Sequence, residues 1–474
     1  MSACEVLIYA AQTALITEEQ DMNRKSVLVA GCGISGIGAA KLLLDSGESV
    51  ILYDGNKNRN VEEIRAKIDA QGELEIILGD LTDDVIERVS YCVISPGIPT
   101  DVPFALQLKA AGIALWSEIE LAWHYGKGTV IGITGTNGKT TTTSLTGEIM
   151  SAHYGDNKTF VVGNIGTPYT EKAPLMTEDS VTVAEISSFQ LETAITFHPH
   201  VSAILNITPD HLDRHKTMEG YAAVKESITA NQTKDDFCVL NYDDAVLREF
   251  GNVCPASVVY FSSRVLLDEG FCMNGRILVY RHDGMEDVIG DIDEFNLVGR
   301  CNYENILAAA AIAVCLGIPM DTIRKTAKAF KAVEHRIEYT ATRNGVRYYN
   351  DSKGTNPDAA IQGVRAMTTP TCVIGGGYDK GSEYDEWISE FGSTVKYLVL
   401  IGQTKEKIAE CCEKHGFTSY EFAESMEEAV NLCAAHALPG EAVLLSPACA
   451  SWGMFANYEQ RGRIFKELVR SLPE

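Results

Sequence analysis

The stretch TVIGITGTNGKTTTTSLTGEIM, Thr129 to Met150, decides how this chain of 474 residues folds. An apolar, β-branched run enters a pair of glycines and a helical segment follows, which is the pattern of one unit of a parallel α/β sheet. Gly138-Lys139-Thr140 stands at the turn. Backbone N–H groups at a helix start face phosphate oxygens, and the helix dipole favours their charge. Lys139 suits β- or γ-phosphate and the Thr140 hydroxyl suits Mg²⁺. Gly135, Thr136, Asn137, Gly138, Lys139, Thr140 and Thr141 thus form a candidate ATP loop. Counting back, the first glycine of G-x-x-x-x-G-K-T falls on Ile133, flanked by Gly132 and Gly135. A plain strand–helix turn with an exposed lysine is the weaker reading.

The same pattern recurs on both sides. Upstream is VLVAGCGISGIGAAKLLLDSG, Val27 to Gly47; downstream of Val346 are VRYYNDSKGTNPDAAIQGV, TCVIGGGYDKG, YLVLIGQTKEKIAE and AVLLSPACASWGMF. The predicted fold is α/β in three domains: Rossmann-like over 1–125, a central P-loop domain with a mainly parallel sheet over 126–333, and Rossmann-like again over 334–474. Residues 235–295 read as short strands and turns, a small subsidiary sheet. Ligands in such folds bind at the loops after the strands' carboxyl ends.

Composition narrows the partners. A net charge of −25 argues against general nucleic-acid binding, which needs Lys and Arg to neutralise phosphates. No apolar run reaches the length of a membrane span. The opening MSACEVLIYAAQTALITEEQ lacks a basic start and reads as a peripheral strand or ordered tail rather than a signal peptide, so a cytoplasmic location is expected. The 13 cysteines are scattered without a C-x-x-C pair, which supports neither a disulfide framework nor a thiolate zinc site.

Two further strand ends carry chemistry. Glu185 closes an apolar strand in VTVAEISSFQLE, where a bare carboxylate is costly unless paired or bound to metal. His211 stands in the loop of ILNITPDHLDRH. With Thr140 they suit hard Mg²⁺ sites; taken singly, a helix cap and a loop histidine explain them equally well. Gly31-Cys32-Gly33-Ile34-Ser35-Gly36 with Asp54 is the dinucleotide fingerprint. It specifies a pyrophosphate at a helix start and a carboxylate near a hydroxylated ring, which a nucleotide-sugar satisfies as well as NAD. The rival, an NAD-dependent oxidoreductase, has no use for the second loop.

TGTNGKTTT, GNIG, EISSFQLE, NITPDHLDRH and GRCNYENILAA occur in this order, and from about Lys25 onward the chain resembles the Mur ligases, which build the peptide of bacterial peptidoglycan. The family has TGTNGKT as its own loop, which accounts for Ile133. HRIE (His335 to Glu338), NDSKGTN (Asn350 to Asn356), GGGYDKG (Gly375 to Gly381) and SPACASWGMFANYEQRG (Ser446 to Gly462) resemble the branch that adds D-glutamate to UDP-N-acetylmuramoyl-L-alanine.

The resemblance implies ATP and two Mg²⁺ ions, held by Lys139, Thr140, Glu185 and His211, with Lys225 carbamylated by CO₂ near the metals. Asn302, Asn305, Arg336 and Asp351 would meet the nucleotide, the last two when the domains close. Ile34, Ser35, Asp54, Ser95, Gly97, Asn164 and Gln190 would contact the UDP substrate, and Thr355, Lys380, Ser451 and Tyr458 the D-glutamate, while Lys353 neutralises phosphate. Gly55 and Asn56 stand where relatives offer hydroxyl and arginine side chains, so fewer contacts to the uridine nucleotide are expected. A monomer is expected, making an amide through an acyl-phosphate. Folylpolyglutamate synthase, the alternative within the fold, lacks the uridine-type first domain and the SPACAS segment.

Overall fold

The computed structural model describes residues 26–473; the amino-terminal stretch read as a peripheral strand or ordered tail lies outside them. The chain divides into two compact units. The first holds the described residues up to Met273 with Val279–Asp287 and Leu307–Thr326; the second holds Asn274–Leu278, Val288–Ile306 and the described residues from Ala327 onward.

In the first unit, β1 (Ser26–Ala30), β2 (Ser49–Asp54), β3 (Leu74–Leu78), β4 (Val89–Ile94) and β5 (Ala114–Trp116) form a parallel sheet ordered β3-β2-β1-β4-β5. Val27 and Val29 pack into the apolar cluster on one face, with Leu43 of helix α1 (Ile34–Asp45), while Leu28 and Ala30 pack into the cluster on the other. A strand apolar on both faces is what a buried parallel sheet demands. The strand order reverses beside β1, and the loops after β1 and β4 open a crevice there.

The central sheet is built around β6 (Thr129–Thr134), which runs into helix α2 (Lys139–Tyr154). It is joined by β7 (Thr159–Gly163), β8 (Val181–Glu185), β9 (Val201–Ile204), β10 (Phe237–Asn241), β11 (Ser257–Ser262) and β12 (Gly270–Asn274), in the order β12-β11-β10-β9-β6-β8-β7 and parallel throughout this stretch. In β6, Ile133 faces Glu185 of β8 on one side and Ala203 of β9 on the other. Parallel register therefore brings the phosphate loop, Glu185 and the loop carrying His211 out of one sheet edge. The strands read as a separate subsidiary sheet depart from expectation: β10 registers on β9, with Val239 opposite Ala203, and β11 on β10. Alternating apolar residues mark a strand but do not specify its partner.

Strands β13 (Ile277–His282) and β14 (Met285–Asp291) follow in sequence. The second unit contains β15 (Glu338–Arg343), β16 (Val346–Asn350), β17 (Thr371–Gly375), β18 (Val395–Leu400), β19 (Tyr420–Phe422) and β20 (Ala442–Leu445), ordered β15-β16-β20-β17-β18-β19. β15 is antiparallel to β16 and the other pairs are parallel. No helix among the described residues is long and apolar enough to cross a membrane.

Within the first unit the two sheets are tied together by helix Glu118–Tyr125. Buried Glu118 accepts hydrogen bonds from the Thr170 N–H (2.7 Å) and hydroxyl (2.8 Å). Buried Glu120 accepts from the N–H groups of Ile195 (2.9 Å), Thr196 (2.8 Å) and Phe197 (2.9 Å). Burial pushes the Glu120 pKa up, but bonds from His124, Thr196 and Phe197 outweigh it and hold the carboxyl below its ordinary 4.5. Its stabilisation is therefore present above that value and lost as pH falls through the depressed one. Glu120→Gln should cost about 1–3 kcal/mol at neutral pH. Urea melts should show that gap closing in acid, and a gap unchanged in acid would contradict the assignment.

Candidate active site

Gly138 precedes α2 with φ +84°, a backbone that glycine adopts without strain. Asn206, in the loop after β9, splints the phosphate loop from outside. Its Oδ1 accepts from the Asn137 N–H (2.8 Å), its Nδ2 donates to the Asn137 carbonyl (3.1 Å), and its own carbonyl accepts from the Thr136 N–H (2.9 Å). The sequence reading passed over Asn206, although it opens the NITPDHLDRH stretch. The available signal was an amide side chain two residues beyond an apolar strand.

Gly135 has φ +145°, and a Cβ there would come within 3.0 Å of the Leu205 Cβ. Its carbonyl accepts from Lys139 Nζ at 2.8 Å and from Lys225 Nζ at 2.8 Å. Lys139 also donates to the Thr136 carbonyl (2.8 Å). Lys225 lies on helix α3 (Met218–Glu226), 1% exposed, with Nζ 4.6 Å over the Tyr221 ring. Burial first, and then the charge of Lys139, hold its pKa well below the ordinary 10.5. Two ammonium groups on one carbonyl oxygen can be no further apart than those two bonds laid end to end. At an effective dielectric of about 20 their repulsion is roughly 3 kcal/mol. Lys225 is the buried partner, and burial and repulsion together weaken its hold on a proton.

Glu185 ends β8 at 2% exposure. One carboxylate oxygen accepts from Asn164 Nδ2 (2.8 Å); the other is buried without a hydrogen-bond partner. An orphaned, buried, acceptor-only oxygen beside the phosphate loop is the donor a hard divalent cation needs. Thr140, buried in the first turn of α2, offers a hydroxyl. His211, at φ +53°, heads the short helix Leu212–His215, with its ring 4.7 Å from that of Phe189. The residues present fit Mg²⁺. Gln190 is buried, and its Oε1 accepts from the Ser187 N–H (2.9 Å) and hydroxyl (2.8 Å), closing a capping box.

The first sheet carries its own cavity, about 450 Å³, lined by Gly31, Gly33, Asp54, Arg59, Ser95 and Ile98 among others. A Cβ on Gly36 would lie 1.8 Å from the Gly31 carbonyl, so only glycine lets α1 start this close to the loop. Ile34 is exposed at the start of α1, with Ser35 beside it. Asp54 orders the loop, accepting from the N–H groups of Cys32 (3.1 Å) and Asn56 (3.0 Å), and pairs with Arg59 Nε (2.7 Å). Gly55 and Asn56 led to an expectation of fewer contacts to the uridine nucleotide; Arg59 adds a guanidinium to the lining of this cavity. The missed signal was an arginine shortly after the strand-end carboxylate.

In the second unit, Asp351 follows β16 and Ser446 follows β20, neighbouring strands with Asn350 opposite Leu445. The Asp351 carboxylate is buried, accepting from the Ser446 hydroxyl (2.7 Å) and the Ile337 N–H (3.3 Å). Burial pushes its pKa up to about 7, against the pull of Ser446 and Arg336. It holds the turn that presents Arg336. Asn305 Nδ2 donates to Asn302 Oδ1 (3.2 Å), and Asn302 Nδ2 to the Val298 carbonyl (2.8 Å).

Lys353 Nζ lies 5.6 Å from the Tyr458 ring and Lys380 Nζ 5.0 Å from that of Trp452. The Thr355 N–H donates to the Lys353 carbonyl (2.9 Å), and Ser451 is buried after the SPACA turn. Fully buried Arg461, on helix α4 (Tyr458–Ser471), donates to the Ser352 carbonyl (2.7 Å) and hydroxyl (3.0 Å) and to the Cys449 carbonyl (3.1 Å). It clamps the DSKGTN and SPACAS loops together. The sequence reading quoted its motif without assigning it.

Three family models match the chain: the MurD-like N-terminal domain of Mur ligases over residues 25–117, the Mur ligase middle domain over 133–313, and the Mur ligase glutamate ligase domain over 335–449. A UDP-N-acetylmuramoylalanine–D-glutamate ligase of Lachnospira eligens is 56% identical over 453 residues, covering 95% of this chain and 100% of that one. Its counterpart in Lachnoclostridium phytofermentans is 52% identical, with 95% and 99% covered. Among solved structures, a MurF of Acinetobacter baumannii superposes with TM-score 0.59 at 17% identity over 98% of each chain. MurF of Thermotoga maritima in complex with ADP gives 0.59 at 18% identity, over 90% and 96%. At such identities these structures bear on the fold alone.

Proposed function

The chain belongs to the Mur ligase family, and from that premise we propose that it joins D-glutamate to the alanyl carboxylate of UDP-N-acetylmuramoyl-L-alanine, using ATP. The observation that carries this reading is the meeting of Lys139 and Lys225 on the Gly135 carbonyl beside the unsatisfied Glu185 oxygen. Such a site receives polyphosphate and metal, and nothing in it suits hydride transfer. The rival oxidoreductase rested on the first glycine loop alone.

The γ-phosphoryl passes from ATP to the substrate carboxylate, giving an acyl-phosphate and ADP; the deprotonated amine of D-glutamate attacks the acyl carbon, and phosphate leaves. Lys139 and the N–H groups at the start of α2 hold the polyphosphate in line, and catalysis is chiefly positioning and electrostatics. Two Mg²⁺ ions, with Thr140 and Glu185 at the first and His211 at the second, would supply countercharge to the transferring phosphoryl. Lys225 is carbamylated in this reading: a neutral amine takes up CO₂ where an ammonium cannot, and the resulting anion is attracted to Lys139 and to metal.

Ile34, Ser35, Asp54, Arg59, Ser95 and Gly97 take the uridine nucleotide, with Asn164 and Gln190 toward the sugar. Asn302, Asn305 and Arg336 attend the ATP base and ribose, with Asp351 setting the turn beside Arg336. Thr355, Lys380, Ser451 and Tyr458 take D-glutamate, and Lys353 neutralises phosphate. The enzyme acts as a cytoplasmic monomer, at the stage where the peptide is assembled on the nucleotide-sugar.

Phosphate release from ATP tests the assignment. With UDP-N-acetylmuramoyl-L-alanine present, D-glutamate should stimulate release and L-glutamate should not; equal response to both would contradict it. Lys139→Ala should lower kcat on the order of a hundredfold or more. Lys225→Ala should be inactive and partly restored by added short-chain carboxylic acids, which replace the lost carboxylate. Full activity without them would remove the carbamate from the mechanism.

A further inference from the structure

Arg214 has no place in the chemistry above, yet its side chain is tied to Glu192, Phe189 and two backbone carbonyls. Its side chain is 13% exposed and that of Glu192 14%. Nε and Nη2 donate to the two oxygens of Glu192 (2.9 and 2.6 Å). Nη1 donates to the Pro96 carbonyl (2.8 Å) and Nη2 to the Ile98 carbonyl (3.2 Å). The guanidinium carbon lies over the Phe189 ring, 4.2 Å from its centroid. Burial lowers the pKa of His215, the next residue, and its ring nitrogen stands 3.6 Å from Glu192, further than the Arg214 guanidinium at 2.6 Å.

The partners come from two parts of the site. Pro96 and Ile98 form the turn after β4, whose Ser95 and Ile98 line the first-domain cavity. Glu192 caps the helix Ser188–Leu191, which carries Gln190. Arg214 itself lies three residues after His211. All described peptide bonds are trans, so a carbonyl of Pro96 turned to Arg214 forces the Gly97 N–H to the opposite side.

We propose that Arg214 is a positioning residue that fixes the spacing between the uridine-nucleotide loop and the phosphoryl-transfer centre, without touching substrate itself. The planar fork serves two carbonyls and a carboxylate at once, which the point charge of lysine cannot do. Binding energy from the distant uridine end is then converted into alignment of the reacting carboxylate. The inference rests on the proposed ligase activity.

The test compares two substrates: UDP-N-acetylmuramoyl-L-alanine, and 1-phospho-N-acetylmuramoyl-L-alanine, which lacks the uridine monophosphate portion. Wild type should prefer the full substrate strongly in kcat/KM. In Arg214→Lys that preference should shrink by roughly a hundredfold, through both kcat and KM, while turnover of the truncated substrate and KM for ATP stay near wild type. Glu192→Gln, which leaves both carbonyl contacts possible but removes the counter-charge, should shrink it less and in the same selective manner, and it serves if the lysine variant fails to fold. Equal losses on both substrates would reduce Arg214 to a general stabilising contact and overturn the proposal. A wild type inactive on both would instead remove the ligase reading.

Discussion

One carbonyl oxygen, that of Gly135, receives both lysines that matter in the central domain. A backbone acceptor can share two donors, but a buried pocket cannot hold two adjacent ammonium charges without countercharge. Burial and the charge of Lys139 hold the pKa of Lys225, whose Nζ lies 4.6 Å over the Tyr221 ring, well below its ordinary value. The glycine that permits this is itself required, since Leu205 closes the space a side chain would use. The requirement for an anion in the loop, and the chemistry open to Lys225, both follow from that shared oxygen.

The two glycine loops show how similar strand–turn–helix units diverge. In the first, the loop N–H of Cys32 bonds to Asp54, and the cation comes from Arg59 at the cavity rim. In the second, Asn206 orders the loop and the lysine sits inside it. The first arrangement offers a cavity of about 450 Å³ with a countercharge in its lining, suited to a whole nucleotide. The second concentrates charge on one phosphoryl group.

What the sequence disclosed was local. Gly138-Lys139-Thr140 reads correctly as a helix start because strand, turn and helix are contiguous, and Glu185 stands out because a carboxylate ends an apolar strand. Of the residues passed over, Asn206, Arg461 and Arg214 act on partners that are distant in sequence or on backbone carbonyls, which leave no periodic mark, whereas Arg59 pairs with nearby Asp54. Arg461 reaches Ser352 across more than a hundred residues. The strands from Phe237 onward were seen but misplaced, because joining the central sheet depends on the register of β9 and β10, which is settled only in three dimensions. Asp351 is expected to meet the nucleotide when the domains close; in this structure its carboxylate is buried and accepts from the Ser446 hydroxyl.

In the proposed mechanism the phosphate loop at Gly138 holds the ATP whose γ-phosphoryl activates the substrate carboxylate. Oxygen-18 placed in the alanyl carboxylate of the substrate measures this directly. One labelled oxygen should appear in the inorganic phosphate released for each amide formed. Phosphate free of label, with amide still being made, would contradict the account.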